Sequence, residues 1–312
     1  MSQTPQILFH SQLPTNKPRF MVRNSDGMLT LTNIQTRQKI LNRCADFFPE
    51  VPASHTWHIF TNAHNSLFTQ HLNILPDWDM FQTSHPYSSF HAAGRCVSGG
   101  PIYITDEPGK HDIDLIRQMT ATNPRGKRVT LRPSTIGKSV HVYTSYETER
   151  LLKVGTFNGS KGTGTGILGI FNVSQRPLSE LVPLRDFPGI EGDGAYIIRA
   201  HSTGEVSGVM ALGDNLALVS LDVAVKGWEI LSAYPLHSFT LSGSRGTRDN
   251  LTKVAVLGLL GKMTGAAAVM NSDIHIESNG RLHIQTSLKA LGVLGPLSLR
   301  GRRLRSHRVD RL

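Results

Sequence analysis

In PDWDMFQTSHP, residues 76–86, two carboxylates, Asp77 and Asp79, stand on either side of Trp78 directly after an apolar run. Carboxylates accept hydrogen bonds from sugar hydroxyls or move protons, and an aromatic face lies well against the apolar side of a sugar ring. The same spacing also fits a strand-end turn in which an aspartate caps a helix and the tryptophan packs. Upstream, RNSD sets Arg23 three residues before Asp26. A nearby arginine favours the ionised carboxylate, whereas a general acid needs its proton held by burial or by a second carboxylate. A surface ion pair is the ordinary account of that motif.

Other chemistry-bearing patterns point less clearly. His55, His58 and His64 fall on one predicted helix, but no carboxylate or cysteine joins them at ligand spacing, so helix packing and solvent exposure are expected rather than zinc. NGSKGTGTGILG has the glycines of a phosphate cradle without the GK[ST] ending of a P-loop, and a strand follows it; it reads as a β-turn. Neither CxxC nor HExxH occurs, so no metal is expected, and Cys44 and Cys96 are too few for a disulfide framework. A reducing compartment fits.

The elements that must hold these residues follow an α/β pattern between residue 17 and about residue 120, in which a short apolar strand leads through an acidic turn into an amphipathic helix. PRFMVRNSD ends at Asp26, LNILPDWDMF carries Asp77 and Asp79, and GGPIYITD ends at Asp106. The predicted helices are HTWHIFTNAHNSLFTQHL, a run near residues 88–96, and HDIDLIRQMT, which Asp112 is placed to cap. In parallel βα units the C-terminal strand ends converge on one face, where a (β/α) barrel keeps its chemistry. Between residues 121 and 138, ATNPRGKRVTLRPSTIGK is polar and rich in Pro, Gly and basic residues and marks a boundary. Beyond it SVHVYTSY, LLKVGTFN, GILGIFNVS, GAYIIRAH, LALVSLDVAV, WEILSAYPL and DIHIESNGRLHIQTSL read as short strands of an all-β domain, a sandwich. GLLGKMTGAAAVMN reads as a strand-and-turn piece of its core.

The chain has 312 residues, 39% of them hydrophobic, enough for a sizeable core. No apolar run approaches the roughly 20 residues of a bilayer span, and the N-terminus lacks the basic and apolar regions of a signal peptide, so a soluble, cytoplasmic protein without a membrane partner is expected. Half of the net charge of +10 sits in residues 300–312, where six arginines face one aspartate. Such a tail could touch RNA or anionic lipid; it reads as a solvated, disordered terminus, and no nucleic-acid partner is expected.

WDMFQTSHPYSSFHAAGRCVSGGPIYITDEPGKHD, with its DWDMF, HPxxxxHAA and SDxPGKHD-like blocks, strongly resembles the raffinose synthase and seed imbibition protein family, which belongs to glycoside hydrolase family 36. The resemblance covers most of residues 1–295. It implies the C-terminal part of a (β/α)8 barrel over residues 1–135, a β-sandwich domain over 136–299 and a basic tail over 300–312. It also implies a retaining mechanism in which two aspartates move an α-galactosyl group, through a covalent galactosyl-enzyme and without cofactor or metal. The implied substrates are small oligosaccharides: galactinol as donor, sucrose as acceptor, raffinose-type sugars as products. Carried over residue by residue, the acid/base falls on Asp26 or Asp46. Arg23 helps bind the sugar, Trp78 and Asp79 line or brace the galactose subsite, and Asp106 matches the last strand end. The nucleophile, in a KxD motif on an earlier strand, has no counterpart here, so the chain alone is expected to be inactive and poorly soluble. An α-galactosidase that passes the sugar to water, or a non-catalytic carbohydrate-binding fragment, are the alternatives.

In that family RNSD runs directly into DFFPxxPASH, so residues 27–45 resemble an interruption. Asp-Gly-Met can be encoded with GGTATG and Ala-Asp with GCAGAY, and removing GT…AG between them restores Asp46 after Asp26. An in-frame intron, translated, is one source of such a segment; a genuine insertion in a βα loop is the other.

Overall fold

A computed structural model of the chain describes residues 46–306 except 73, 161–162, 242–249, 278–280 and 301–302. Before residue 46 it describes the strands Ile7–Phe9, Met21–Arg23, Leu29–Leu31 and Lys39–Leu41. Asp26 lies outside the described residues, as does the side chain of Arg23.

Among the described residues, three helices carry the first half. Helix α1, Ser54–Thr69, has no side-chain cap on its first turn; instead the Ser54 hydroxyl lies 2.8 Å from the Phe48 carbonyl and 2.7 Å from that of Val51, which folds the preceding loop back on the helix start. Helix α2, Ser88–Ser98, is buried from Phe90 onward and packs on α1, on the third helix and on strands of the later half. Its Ala92, Ala93 and Gly94 allow that approach: a Cβ on Gly94 would stand 2.7 Å from Ile59 and 3.4 Å from Trp78. Gly99, at φ +71°, ends the helix in the left-handed conformation that glycine adopts without a Cβ penalty. Helix α3, Ile113–Met119, starts at Asp112, whose carboxylate accepts from the Leu115 N–H at 2.9 Å, the cap expected of HDIDL.

Parallel pairing occurs twice among the described residues: Met80–Phe81 beside Ile102–Ile104, and Lys39–Leu41 beside Ile74–Pro76. Ile7–Phe9 adds to Ile102–Ile104 in antiparallel fashion, and Met21–Arg23 forms an antiparallel pair with Leu29–Leu31. The βα order expected from the sequence is therefore present in the strands and helices after residue 46. A closed barrel is not present among the described residues. Of PRFMVRNSD the described part, Met21–Arg23, pairs with Leu29–Leu31, while Lys39–Leu41, from within residues 27–45, runs beside Ile74–Pro76.

The second half is antiparallel. Six strands, in the order Lys138–Ser139, Leu152–Asn158, Thr165–Phe171, Trp228–Pro235, Ala195–Ala200 and Met210–Ala211, form the largest sheet. Its side chains alternate between two cores with the period of a strand. Ile167, Phe171, Ile197, Ile230 and Tyr234 face the core that holds the helices, while Leu168, Ile170, Ile198 and Leu231 face a second core closed by the pair Leu178–Pro183 and Leu218–Val223. Because both faces are covered, GILGIF reads as continuous apolar sequence rather than as an alternating strand. The two halves share the first core across residue 135: the rings of Phe90 and Phe171 meet edge to face at 5.5 Å, and the Trp228 indole N–H donates to the Ser89 hydroxyl at 3.0 Å.

Two expectations change. SVHVYTSY contributes only its first residue, Ser139, to the strand Lys138–Ser139; the residues after it form turns and bends, and Tyr143 is fully exposed, so its alternation reflected no buried face. Within the tail expected to be disordered, Arg303–Ser306 pairs with Leu294–Arg300 as the edge of a four-stranded sheet, a pairing made through the backbone alone. NGSKGTGTGILG joins Leu152–Asn158 to Thr165–Phe171, which pair antiparallel; residues 161–162 within it lie outside the described residues. GLLGKMTGAAAVMN is strand, turn, a short 3-10 helix at Gly265–Ala268, and strand.

Candidate functional site

The site is a corner where the loop starting at Asp46 meets the turn of PDWD. The strand Ile74–Pro76 stops at the turn because Asp79 adopts φ +59°, a left-handed conformation that few residues other than glycine take. The turn is held from inside: the buried Asp77 carboxylate accepts from the Asp79 N–H at 2.9 Å. Asp79 itself is half-buried, and its Oδ2 accepts from the Phe47 N–H at 2.9 Å. That bond joins two segments 32 residues apart and sets Asp46, which is exposed, one residue from Asp79's carboxylate partner. Burial, together with the Asp77 and Asp79 carboxylates, pushes the Tyr103 phenol far up, so it keeps its proton beside them.

Beneath the corner the Phe47 ring is inserted among four imidazoles. His55, His58, His85 and His91 present themselves edge-on to it, with ring centroids 4.9–6.3 Å away. These rings are linked by hydrogen bonds: His55 Nδ1 to His91 Nε2 at 2.7 Å, His91 Nδ1 to Arg95 at 2.8 Å, and Arg95 to His58 Nε2 at 2.8 Å. Both His55 and His85 reach the Pro49 carbonyl at 3.2 Å. Burial, then neighbouring His85, lowers His55 to about 4; burial and Arg95 hold His91 well below the usual imidazole range. Both are neutral at neutral pH. Of the helix packing and solvent exposure expected for the helix histidines, packing holds and exposure does not for His55 and His58, each 1% exposed. They are packing residues of a polar network, and among the described residues no group of three or more His, Cys, Asp or Glu side chains is arranged to hold a metal.

Two residues placed at the site by resemblance, Trp78 to line or brace it and Asp106 to bind substrate, are buried and hydrogen-bonded within the fold. Trp78 is wholly buried, its indole N–H donating to the Ser66 hydroxyl at 3.2 Å, so it offers no face to a sugar and braces the turn from behind. Asp106 is 3% exposed, and both of its oxygens are engaged. Oδ1 accepts from the Thr83 N–H at 2.5 Å, while Oδ2 accepts from the Thr83 hydroxyl and from His111 Nδ1, the latter at 3.0 Å. The Thr83 oxygen in turn accepts from the Asp112 N–H at 2.8 Å. Asp106 therefore locks the strand Ile102–Ile104 to the start of α3. Of the assigned residues, the structure brings together Asp46 and Asp79, with Trp78 behind them.

Arg95, His91, His85 and Tyr103 were not singled out from sequence. A signal existed for one pair: in HAAGR, His91 and Arg95 stand four apart and so share a helix face. Two clefts of the described surface lie elsewhere, one lined by Asn158, Thr165, His237 and Met270, another by Gln70, Lys138 and Phe157.

Comparison with known proteins bears on what this corner is. The chain is 28% identical over 313 residues to the probable galactinol–sucrose galactosyltransferase 1 of Arabidopsis thaliana, covering 93% of this chain and 38% of that protein. It is 35% identical over 133 residues to the probable galactinol–sucrose galactosyltransferase 6 of the same plant, covering 43% of this chain and 17% of the relative. To stachyose synthase of Pisum sativum it is 33% identical over 115 residues, covering 37% and 13%. The chain thus spans well under half the length of these curated relatives. Among solved structures it is similar to the α-galactosidase of Saccharomyces cerevisiae with raffinose, at TM-score 0.42 and 10% identity over 57% of this chain and 50% of that one. The profile of the family described as raffinose synthase or seed imbibition protein Sip1 matches residues 18–179, just over half of the chain, and with it the Asp46 loop, the PDWD turn and all three helices. The chain belongs to that family.

Proposed function

We propose that this chain carries one wall of a galactosyl-transfer site, in a protein that moves α-galactose from galactinol to sucrose with retention. The observation that supports the reading is the bond from the Phe47 N–H to Asp79, which brings an exposed aspartate and a half-buried one to a single corner. In this reading Asp46 is the acid/base: it protonates the oxygen of the departing cyclitol as the galactosyl carbon is captured by a carboxylate nucleophile, then takes the proton from the attacking sucrose hydroxyl as the galactosyl-carboxylate bond breaks. Asp79, pinned by Phe47, Asp77 and the Tyr103 neighbourhood, accepts hydrogen bonds from galactose hydroxyls. Asp26 is the other acid/base candidate, with Arg23 as its sugar-binding neighbour. A retaining site needs two carboxyl groups about 5 Å apart. The nucleophile would come from sequence outside the roughly two-fifths of the relative that this chain matches, and the chain assayed alone would be inactive.

Residues 27–45 enter the same proposal as an interruption. Lys39–Leu41 runs parallel to Ile74–Pro76 and ends five residues before Asp46; without residues 27–45, Met21–Arg23 would end four residues before Asp46 and could take that place. This equivalence is what supports the reading, since either strand would deliver the chain to the same corner.

The test is a transfer assay with labelled galactinol and sucrose on three proteins: the chain, the chain lacking residues 27–45, and the protein encoded by the transcript sequenced from well upstream of Met1. Raffinose formed only by the last supports the proposal. Raffinose formed at a comparable rate by the chain alone refutes the need for an outside nucleophile, and galactose released without sucrose favours a hydrolase. No turnover by any of the three, with galactosides still bound, favours a carbohydrate-binding role.

A further inference from the structure

Arg95 sits at the centre of the network under the corner, 1% exposed, on α2. It faces the PDWD turn directly: one terminal nitrogen donates to the Met80 carbonyl at 2.9 Å, and Nε lies 3.4 Å from the Asp79 carbonyl. The backbone of Asp79 is thereby gripped on both sides, its N–H by Asp77 and its carbonyl side by Arg95. Such a grip is what a left-handed aspartate requires, because the conformation persists only where its surroundings over-determine it.

The other terminal nitrogen of Arg95 points away from the turn, to His91 Nδ1 at 2.8 Å. A guanidinium only donates, so His91 Nδ1 must be the acceptor and the ring must carry its proton on Nε2. That proton is directed at His55 Nδ1, 2.7 Å away, which forces His55 in turn to carry its proton on Nε2. His55 Nε2–H then donates to the Pro49 carbonyl at 3.2 Å, three residues after Asp46. His85 agrees with this direction, since its Nδ1 accepts from the Tyr87 N–H at 3.1 Å and leaves Nε2–H for the same carbonyl. Every bond from Arg95 to Pro49 runs one way, and the first donor decides all the rest.

We infer that Arg95 is the positioning residue of this corner: it fixes the Asp79 turn through backbone carbonyls and the Asp46 loop through two buried imidazoles whose tautomers it dictates. The inference rests on the proposed galactosyl site only for its consequence in binding; the relay itself stands on the hydrogen-bond geometry.

The experiment is ring-nitrogen NMR on the full chain, selectively labelled at histidine, at neutral pH, beside Arg95→Met, Arg95→Lys and His91→Gln. In the parent, His55 and His91 are expected as single Nε2–H tautomers. Arg95→Met should convert His91 to a tautomer mixture and weaken galactoside binding by about tenfold or more in a folded variant. Lysine keeps the charge without the fork, and should rescue neither the single tautomer nor the binding in full. His91→Gln cuts the relay while leaving the Arg95 bonds to the turn, and should alter His55 alone. An Nδ1–H tautomer at His55 or His91 in the parent overturns the inference even if every variant fails to fold. So does an unchanged His91 signal in Arg95→Met, or a lost tautomer with binding intact. If the parent binds no galactoside, the site reading fails and the relay is judged on the ring nitrogens alone.

Discussion

Replacing Asp106 by alanine separates a structural role from a substrate role. The carboxylate accepts three hydrogen bonds, two of them from Thr83, which is 2% exposed, and one from His111. Water can replace the bond to His111, whose side chain is 20% exposed, but not those to Thr83. Leaving a buried donor without an acceptor costs about 1–3 kcal/mol, so two such donors cost roughly 4 kcal/mol. The Asp112 N–H bond to the Thr83 hydroxyl is strained by the same change, which extends the damage to the start of α3. At about 2–4 °C per kcal/mol for a chain somewhat smaller than this one, the midpoint of thermal unfolding should fall by about 10 °C. Asp106→Asn keeps one acceptor for the Thr83 N–H and should lose about half as much. Thr83→Val combined with Asp106→Ala should cost clearly less than the sum of the two alone, since they break one shared network. Circular dichroism melts of the parent and variants measure all of this, with galactoside binding measured below the transition. A midpoint within about 2 °C of the parent, accompanied by lost binding, would refute the reasoning and return Asp106 to the sugar.

The remaining expectations are simpler. Trp78→Ala empties a wholly buried site between Ile59, Gly94 and Ser66 and should destabilise by about 3–5 kcal/mol, whereas Trp78→Phe should cost much less; chemical denaturation distinguishes them. His55 carries a folded-state pKa of about 4 against 6.5 unfolded, so it is the unfolded chain that gains the proton first as pH falls. Stability should be full above about pH 6.5, decline by roughly 2 kcal/mol once screening is allowed for, and level off near pH 4, with His91 extending the decline further down; melts across that range, repeated with His55→Gln, test the slope. Lys153, 4% exposed, bonds to Glu180 at 2.6 Å and Asp186 at 2.9 Å behind the six-stranded sheet. Lys153→Met removes the cation between two carboxylates that keep the Leu151 N–H on Glu180 and His141 beside Asp186, and should cost about 1–3 kcal/mol, read as a lowered denaturation midpoint that Lys153→Arg partly restores.

What the sequence revealed follows from how local each signal is. Short apolar runs bounded by Gly, Asn and Ser gave GILGIF and WEILSAYP, and an aspartate before an apolar-periodic run gave the Asp112 cap, because those signals depend on residues within one element. The pair Asp77 and Asp79 stood out for the same reason. The burial of Trp78 did not, because a tryptophan after a strand looks alike whether α2 brings Gly94 to its back or leaves it open. Arg95 passed as an ordinary basic residue, since nothing in HAAGRC states that the carbonyls of Asp79 and Met80 stand opposite it across 15 or 16 residues of chain. Asp106 was placed at the site by its strand-end position and by resemblance, and only the fold shows Thr83 covering both its oxygens. SVHVYTSY had the alternation of a strand, but its pairing stops after its first two residues, at Val140. Resemblance filled part of the gap: it named the corner, though not the network that holds it.

The central claim is that the Asp46–Asp79 corner binds galactosides. Saturation-transfer NMR with galactinol, raffinose and a glucose control, on the full chain and on Asp79→Asn, addresses it without requiring turnover. The account predicts saturation of the galactosyl protons of galactinol and raffinose in the parent, its loss in Asp79→Asn, and none on glucose in either. Equal galactosyl signals in the parent and in a folded Asp79→Asn, or none in the parent, would contradict it.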